Sequence, residues 1–363
     1  MLGAFWGTVS QLVFVALALR LLLFGLMAPF AAALLQRYGL RRVVALALTM
    51  VVAGCVLSMG MTEVWQIWFY WGVVTGIGTG MTALVLGATV ANRWFAQRRG
   101  LVIGLLTAAN ATGQLVLLPL GAWLAQEHGW RVAIGPGLGA CALAAVLMVL
   151  FGRDHPSDLG LPAYGETEVR LPPPPTGNPV GNAFSVLAEA SRSRVFWILF
   201  VTFMICGLST NGLLQTHFIP FCVDFGMAEV QAASVLAMMG IFDFIGTVAS
   251  GWLSDRYDNR KLLFWYYGLR GLSLLWLPSS TFTLYGLSIF AMFYGLDWIA
   301  TVPPTVRLAG QAFGREKAPV VFGWVFTAHQ LGAAIAALGA GISRDALASY
   351  LPAFYLAGAD PYE

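Results

Sequence analysis

The chain is a succession of long apolar stretches separated by short polar loops. Each stretch spans about 18–25 residues, which is enough for a helix to cross a hydrocarbon core of roughly 30 Å. They lie near 12–35, 43–61, 65–91, 101–124, 132–151, 195–219, 229–253, 262–279, 282–306 and 319–341. None shows the alternation of polar and apolar positions that is typical of barrel strands. The pattern predicts an all-α membrane protein with about ten transmembrane helices.

The basic residues fall on one side of the predicted helices. Sixteen of the twenty Lys and Arg residues occupy alternate loops, around 37–42, 93–99, 153–194, 256–261 and 307–317. The intervening loops hold only Arg131 and Arg344. Because an excess of Lys and Arg marks cytoplasmic loops, we expect a multi-pass protein of the cell inner (plasma) membrane whose basic loops face the cytoplasm.

Composition excludes several other classes. The chain is 58% hydrophobic and only 10% charged, whereas soluble domains carry roughly 25% charged residues. The net charge of +3 follows from the loop bias, so we expect no nucleic-acid partner. The four cysteines lie in or beside apolar stretches without paired spacing and are interpreted as packing residues. No phosphate loop, metal-ligand cluster or nucleophile elbow is present, so the sequence predicts no enzyme, no metal and no cofactor.

The basic loops recur at a fixed offset. Residues 37–42 align with 256–261, and residues 94–100 align with 313–319, both 219 positions further on. Two pairs at one offset indicate an internal repeat, and a duplicated helical bundle is typical of secondary transporters. We therefore predict an N-terminal bundle at 1–152 and a C-terminal bundle at 195–363. The proline-rich segment between them, 153–194, is expected to be an extended, solvated linker.

The 219-residue offset also matches apolar stretches of one bundle with their counterparts in the other. The stretch at 195–219 has no counterpart in the first bundle, and 132–151 maps onto positions that run past Glu363. These mismatches predict a twelve-helix protein that lacks its first helix and most of its last. A true ten-helix protein is the alternative.

The two repeated loops carry a known motif. They resemble the Gly-x-x-x-Asp-Arg-x-Gly-x-Arg-Arg loop of the major facilitator superfamily, which implies two pseudo-repeated bundles and a gating role for the loops. The matching positions are Arg37, Gly39, Arg41 and Arg42 in the first copy, and Gly251, Asp255, Arg256 and Arg260 in the second. In the first copy Gln36 replaces the acid, so we expect this copy to latch less strongly.

A second resemblance narrows the substrate class. Residues 92–101 and Gly129-Trp130-Arg131 are similar to the monocarboxylate porters and their oxalate/formate-exchanger-like bacterial relatives. The stretch 242–246 resembles the helix that carries a buried Asp in that branch, although Thr247 stands where animal members have an arginine. The resemblance implies transport of a small organic anion, by proton symport or anion exchange, through alternating access.

Five of the ionisable residues inside the predicted helices are candidates for function, because a charge at mid-membrane costs roughly 2.5–3.5 kcal/mol. An arginine presents a planar fork that matches a carboxylate, which makes Arg270 and Arg20 candidates for binding the substrate. Desolvated aspartates and histidine exchange protons near neutral pH, which makes Asp243, Asp297 and His329 candidates for proton coupling. Structural pairing between helices is the alternative for the arginines and aspartates, and a packed, hydrogen-bonded side chain is the alternative for His329.

Uncharged polar residues complete the set. Asn110 and Asn211 are further substrate-binding candidates, although bonding between helices is the alternative. The expected partners are a small organic anion, protons or a counter-anion, and the lipid bilayer, and we expect a monomer. Efflux of hydrophobic drugs and a non-transporting membrane fragment are the two competing hypotheses for function.

Overall fold

The computed structural model describes residues 2–169, 171, 178–347 and 349–359, which are mostly helical. The helices are α1 (Leu2–Tyr38), α2 (Leu40–Met59), α3 (Ile67–Trp94), α4 (Arg99–His128), α5 (Trp130–Phe151), α6 (Pro179–Ala190), α7 (Arg194–Asp224), α8 (Glu229–Ser254), α9 (Asn259–Trp276), α10 (Ser288–Asp297), α11 (Val302–Leu347) and α12 (Leu351–Ala359). Within these ranges the single strand-like feature is an isolated bridge between Phe95 and Tyr164. Each of the ten predicted stretches overlaps a helix, which confirms the all-α fold class.

Helix lengths fit a membrane. Seven helical segments of the described chain are long and apolar enough to cross a bilayer. The last of them, Ser288–Arg344, runs for 57 residues and is broken at Gly314, whose φ of 77° lies in the left-handed region. Thr301 and His329 both approach Cys206, so the chain turns back between them. This segment therefore makes two passes.

The two halves of the chain, α1–α5 and α7–α12, share one core. The largest buried apolar cluster draws residues from both halves, among them Ala28 on α1, Ile103 on α4, Phe203 on α7 and Val320 on α11. Smaller clusters lie within a single half. The halves are therefore joined through a continuous core at one end of the bundle. We call this end, which carries loops 37–42, 93–99, 256–261 and 307–317, the basic face.

Glycines bring the halves into backbone contact near the basic face. A Cβ on Gly251 of α8 would lie 2.3 Å from the carbonyl oxygen of Gly100, at the start of α4. A Cβ on Gly104 would lie 2.7 Å from the carbonyl oxygen of Thr247. Small residues permit such close helix crossings in membranes. Further along α4, a Cβ on Gly113 would meet nothing within 4 Å, so the close approach belongs to the basic end.

α1 and α11 make the equivalent contact on the other side of the bundle. A Cβ on Gly323 would lie 2.5 Å from the Cα of Pro29. One turn further along, Thr327 donates a hydrogen bond to the carbonyl oxygen of Gly25 at 2.9 Å. The two crossings close the bundle toward the basic face.

The linker is more ordered than the extended chain that we predicted. Its prolines 172–175 lie outside the described residues, but α6 follows them. Asn178 caps this helix by accepting a hydrogen bond from the amide of Val180, and Pro179 occupies the first helical position, an arrangement that favours a helix start. α6 buries Ala183, Val186 and Ala190, and this apolar side fixes it to the bundle.

α6 rests on both halves at once. The ring of Phe184 contacts Phe30 of α1 and Trp324 of α11, with centroid distances of 5.6 Å and 5.8 Å. The indole nitrogen of Trp324 donates to the carbonyl oxygen of Ala183 at 3.0 Å. The linker helix therefore spans the contact between α1 and α11.

We predict that Gly251→Ala destabilises the closed arrangement by about 1–3 kcal/mol, because the added methyl group overlaps backbone of the other half. The matched control is Gly268→Ala on α9, where a Cβ meets nothing within 4 Å and alanine favours the helix. Thermal unfolding in detergent measures both. Equal unfolding temperatures for the two variants would contradict the proposed backbone contact.

Candidate functional site

A buried ion pair lies at the centre of the C-terminal half. Arg270 on α9 is 3% exposed and Asp297 at the end of α10 is 5% exposed. The Nε of Arg270 donates to Oδ2 of Asp297 at 2.6 Å. Two of the predicted candidates are therefore brought together, in the structural pairing that we considered as the alternative to a role in transport.

A break between α10 and α11 provides further acceptors for Arg270. α10 ends at Asp297 and α11 begins at Val302, so the last carbonyl groups of α10 lack partners within the helix. Nη2 of Arg270 donates to the carbonyl oxygens of Asp297 at 2.6 Å and Trp298 at 3.1 Å. The guanidinium thus satisfies a helix end that would otherwise carry unpaired carbonyls.

Asp243 on α8 also forms a hydrogen bond with the chain between α10 and α11. Its Oδ1 accepts hydrogen bonds from the amide of Ile299 at 2.9 Å and from the hydroxyl of Thr247 at 3.0 Å. Thr247 occupies the position where the resemblance led us to expect an arginine, and it is fully buried. Asp243 therefore forms hydrogen bonds with a backbone amide and a neutral hydroxyl, where the resemblance implied an arginine at position 247.

Cys206 on α7 belongs to this cluster, although we predicted only a packing role for it. Its Sγ accepts a hydrogen bond from Nη1 of Arg270 at 2.8 Å and lies 3.5 Å from the hydroxyl of Thr301. Thr210, one turn further along α7, donates to the carbonyl oxygen of Cys206. A polar Thr at i+4 within an apolar run was the one available signal that this side of α7 faces polar groups.

His329 on α11 lies beside the cluster. Its ring packs between Phe203 and Phe326, at centroid distances of 4.9 Å and 5.8 Å. Its Nε2 lies 3.4 Å from the hydroxyl of Thr210. The ring is thus held by aromatic packing, a weak hydrogen bond to Thr210 and a polar contact with Cys206.

Four buried groups at or near the cluster have polar atoms without a hydrogen-bond partner among the described residues. These atoms are Oδ1 of Asp297, the hydroxyl of Tyr267, Nδ1 of His329, and both amide atoms of Gln330. The ring centroid of Tyr267 lies 5.6 Å from the Arg270 guanidinium, and Gln330 lies in the α1–α11 crossing, beside Gly25. Because buried polar groups are nearly always paired, we interpret these atoms as positions open to water or a polar ligand.

The other substrate-binding candidates lie on α1, α7 and α4. Arg20 is on α1 in the N-terminal half, and its guanidinium stacks over the ring of Trp71 at 5.2 Å, a cation–π contact. Asn211 lies in the π-helical turn Leu208–Leu214 of α7, where its carbonyl oxygen accepts from the hydroxyl of Thr216. Asn110 lies on α4, but its side chain is outside the described residues.

The second-copy loop forms a charged contact between the halves. Oδ1 and Oδ2 of Asp255 accept hydrogen bonds from the amides of Gly100 and Leu101, each at 3.0 Å. A carboxylate at a helix N-terminus is favoured by the helix dipole, so Asp255 caps α4 of the opposite half. Arg307 forms an ion pair with the same carboxylate.

Arg256 and Arg260 contact their own half. The guanidinium of Arg256 lies 4.0 Å from the ring centroid of Trp252. The amide of Arg260 donates to Asp258, which caps α9, and the Arg260 side chain is exposed. Asp255 and Gly251 are thus the second-copy residues that join the halves.

The first-copy loop makes a neutral contact in the equivalent place. Nε2 of Gln36 donates to the carbonyl oxygen of Glu316 at 2.5 Å, and its Oε1 accepts from Asn182 of α6 at 3.3 Å. The remainder of the loop is held by its own half. Gly39 adopts a φ of 85°, and the amide of Arg41 donates to Asp154 at 2.8 Å, while the side chains of Arg37, Arg41 and Arg42 lie on the exposed surface.

Ion pairs with the linker reinforce the basic face. Arg315 pairs with Glu166 at 3.0 Å, and Lys317 pairs with Glu189 of α6 at 2.6 Å. Burial, together with the neighbouring charges of Arg315 and Arg307, lowers the pKa of the Arg99 guanidinium to about 10. The basic face therefore holds crowded positive charges that linker carboxylates partly neutralise.

We predict that breaking the Arg270–Asp297 pair is costly. Arg270→Gln or Asp297→Asn each leaves an uncompensated buried charge, at a cost of about 3–5 kcal/mol, and the double variant costs less than the sum. The control is the exposed pair of Arg344 and Asp224, whose side chains are 37% and 30% exposed and whose loss costs about 0–1 kcal/mol. Unfolding in detergent measures both cycles, and strictly additive losses at 270 and 297 would refute the pairing.

We predict that Asp255→Asn loosens the basic face. The amide cannot accept from both Gly100 and Leu101 with the strength of a carboxylate, and Arg307 loses its ion pair. Distances between spin labels on loops 37–42 and 256–261 should become longer and more widely distributed. The control is Asp258→Asn in the same loop, which contacts only its own half. A distance distribution identical to that of the control would count against the contact.

The chain resembles known membrane transporters over most of its length. The profile of the Major Facilitator Superfamily matches residues 6–337. The MFS-type transporter YcxA of Bacillus subtilis is 25% identical over 94% of this chain and 81% of its own. Monocarboxylate transporter 12-B of Danio rerio is 25% identical over 84% of this chain and 67% of its own.

Solved structures agree on the fold. A crystal structure of the E. coli fucose:proton symporter FucP matches with a TM-score of 0.70, covering 96% of this chain and 89% of that one at 15% identity. The proton:xylose symporter XylE also matches with a TM-score of 0.70, over 97% of this chain and 84% of that one at 14% identity. The repeated helical halves described above and the family match agree, and the chain belongs to the Major Facilitator Superfamily.

Proposed function

We propose that the protein is a secondary active transporter of small, monocarboxylate-like organic anions that works by alternating access. The observation that carries the proposal is the buried Arg270, a permanent cation in the transmembrane part of the C-terminal half with unpartnered polar atoms beside it. A guanidinium is the side chain best suited to hold a carboxylate. The similarity to monocarboxylate transporters supports the same substrate class.

The binding surface in this proposal draws on both halves. Arg270 holds the carboxylate from the C-terminal half, and Arg20 approaches from α1 of the N-terminal half. Asn211 and Asn110 add neutral hydrogen-bonding groups from α7 and α4. An anion attracted by residues of both halves stabilises an occluded state between them, which is what alternating access requires.

Proton coupling in this proposal rests on Asp243 and Asp297, with His329 nearby. Protonation of Asp297 weakens its attraction for Arg270 and leaves the guanidinium more available to a substrate carboxylate. Binding of an anion and uptake of a proton are then mutually favourable, as symport requires. Anion exchange uses the same arginine without a change of protonation, so a measurement must distinguish the two modes.

The gating contacts support a defined direction of opening. The glycine crossings and the contacts of Asp255 and Gln36 join the halves at the basic face, so transport requires these contacts to break. We place the basic face in the cytoplasm and the protein, as a monomer, in the cell inner (plasma) membrane. In this orientation the structure corresponds to a state closed to the cytoplasm.

Uptake into proteoliposomes tests the proposal. We expect radiolabelled formate, lactate or pyruvate to accumulate when the outside is acidified, and Arg270→Gln to reduce this uptake roughly 10- to 100-fold, because a charged hydrogen bond is lost. Arg270→Lys should restore only part of it, since lysine lacks the planar fork. The control is Arg344→Gln, which removes an exposed arginine from the opposite end of the bundle.

A second measurement separates symport from exchange. In a symporter, Asp243→Asn abolishes the response to the pH gradient while exchange of internal for external anion continues. In an exchanger, the wild type responds to internal anion and is indifferent to the gradient. Absence of uptake of all the acids, together with export of hydrophobic dyes, would replace this proposal by drug efflux.

A further inference from the structure

Arg270 has nearly all of its hydrogen bonds occupied in this structure. A guanidinium carries five N–H donors, of which Nε and the two donors of Nη2 are held by the side chain of Asp297 and by the carbonyl oxygens of residues 297 and 298. One donor of Nη1 points to Sγ of Cys206. A carboxylate that binds two donors of Arg270 at once must therefore share or replace at least one of these partners.

The partners differ greatly in strength. The carboxylate of Asp297 is charged, and charge-assisted hydrogen bonds are roughly twice as strong as neutral ones. The two carbonyl groups belong to a helix end with few alternative donors. Thiol sulfur is a weak acceptor, so the bond from Nη1 to Cys206 is the one that an incoming carboxylate breaks at the lowest cost.

A second observation concerns the same cluster. Oδ1 of Asp297 is buried and unpartnered, although Oδ2 of the same carboxylate is bound to Arg270. The hydroxyl of Thr301 lies 3.5 Å from Sγ of Cys206. The thiol therefore lies among groups that bind an anion or its proton. It occupies only one of the two donors of Nη1 of Arg270.

We propose that the Cys206 thiol occupies the Nη1 arm of Arg270 in the substrate-free protein and is displaced by the substrate carboxylate. Cys206 is then a positioning residue that sets anion affinity by competing for Arg270. This inference rests on the proposed function, since it requires that Arg270 binds a carboxylate. Cys206 itself makes no bond to the transported anion in this scheme.

The competition predicts an unusual order of substitutions. Cys206→Ala removes the competitor, so KM for lactate should fall roughly three- to tenfold, the equivalent of one hydrogen bond, with the maximal rate little changed. Cys206→Ser introduces a stronger acceptor, so KM should rise. A packing role predicts the reverse order, because alanine leaves the larger cavity at this buried site.

Cys222 provides the matched control. It is a fully buried cysteine on the same helix, α7, and it lies in an apolar cluster with Phe218 and Phe221. Cys222→Ala should leave KM unchanged, whatever its effect on stability. Unfolding temperatures of all variants separate loss of folded protein from a change in affinity, and the serine variant keeps the test valid if Cys206→Ala folds poorly.

Uptake of lactate and pyruvate by the reconstituted full chain tests the inference about Cys206. A lower KM for Cys206→Ala, a higher KM for Cys206→Ser and an unchanged KM for Cys222→Ala support the inference. If the wild type transports these acids and the KM of both Cys206 variants matches that of Cys222→Ala, the inference is wrong and the proposed function stands. If the wild type transports no carboxylate, the proposed function fails and the inference fails with it.

Discussion

A guanidinium enclosed by membrane helices must have its donors satisfied, and much of the C-terminal half is arranged around this requirement. Arg270 is surrounded by a carboxylate, two carbonyl groups from an interrupted helix, and a thiol. The interruption at residues 298–301 is tolerable in an apolar environment because Arg270, Asp243 and Ser250 form hydrogen bonds with its backbone. The cation and the helix break therefore stabilise each other, and neither is expected to persist without the other.

The two halves accommodate charged side chains among the membrane helices in different ways. The C-terminal half concentrates its charges in one hydrogen-bonded cluster, whereas Arg20 of the N-terminal half rests on the ring of Trp71. The same imbalance appears at the basic face, where a carboxylate joins the halves in one repeat and the amide of Gln36 does so in the other. Duplication preserved the placement of these contacts while their chemistry diverged. The strength of the Asp255 contact therefore depends on charge and ionic strength, whereas the Gln36 contact is between neutral groups.

The sequence was sufficient for the helices, the repeat and the identity of the buried charges, because hydropathy and charge bias are local properties. It could not show that Arg270 selects Asp297 while Asp243 binds Ile299, since both carboxylates are compatible with either arginine until the helices are packed. Cys206 was missed because a cysteine in an apolar run has the same local pattern whether it faces lipid, core or a guanidinium. α6 was missed because the prolines before it dominate the composition of the linker. The roles of these residues in transport remain predictions.

The glycine crossings have a consequence for the rate at which the halves separate. Where interlocked side chains join two helices, each must leave its pocket and change rotamer before the surfaces part. Between Gly104 and Gly251 the facing surfaces are backbone, and at Gly100 the side chain that must disengage is the Asp255 carboxylate. Such a contact is close when the halves are joined, and few side chains must change rotamer when the halves separate. In the alternating access that we propose, the same two surfaces separate and rejoin in every transport cycle, and a backbone contact of this kind allows both.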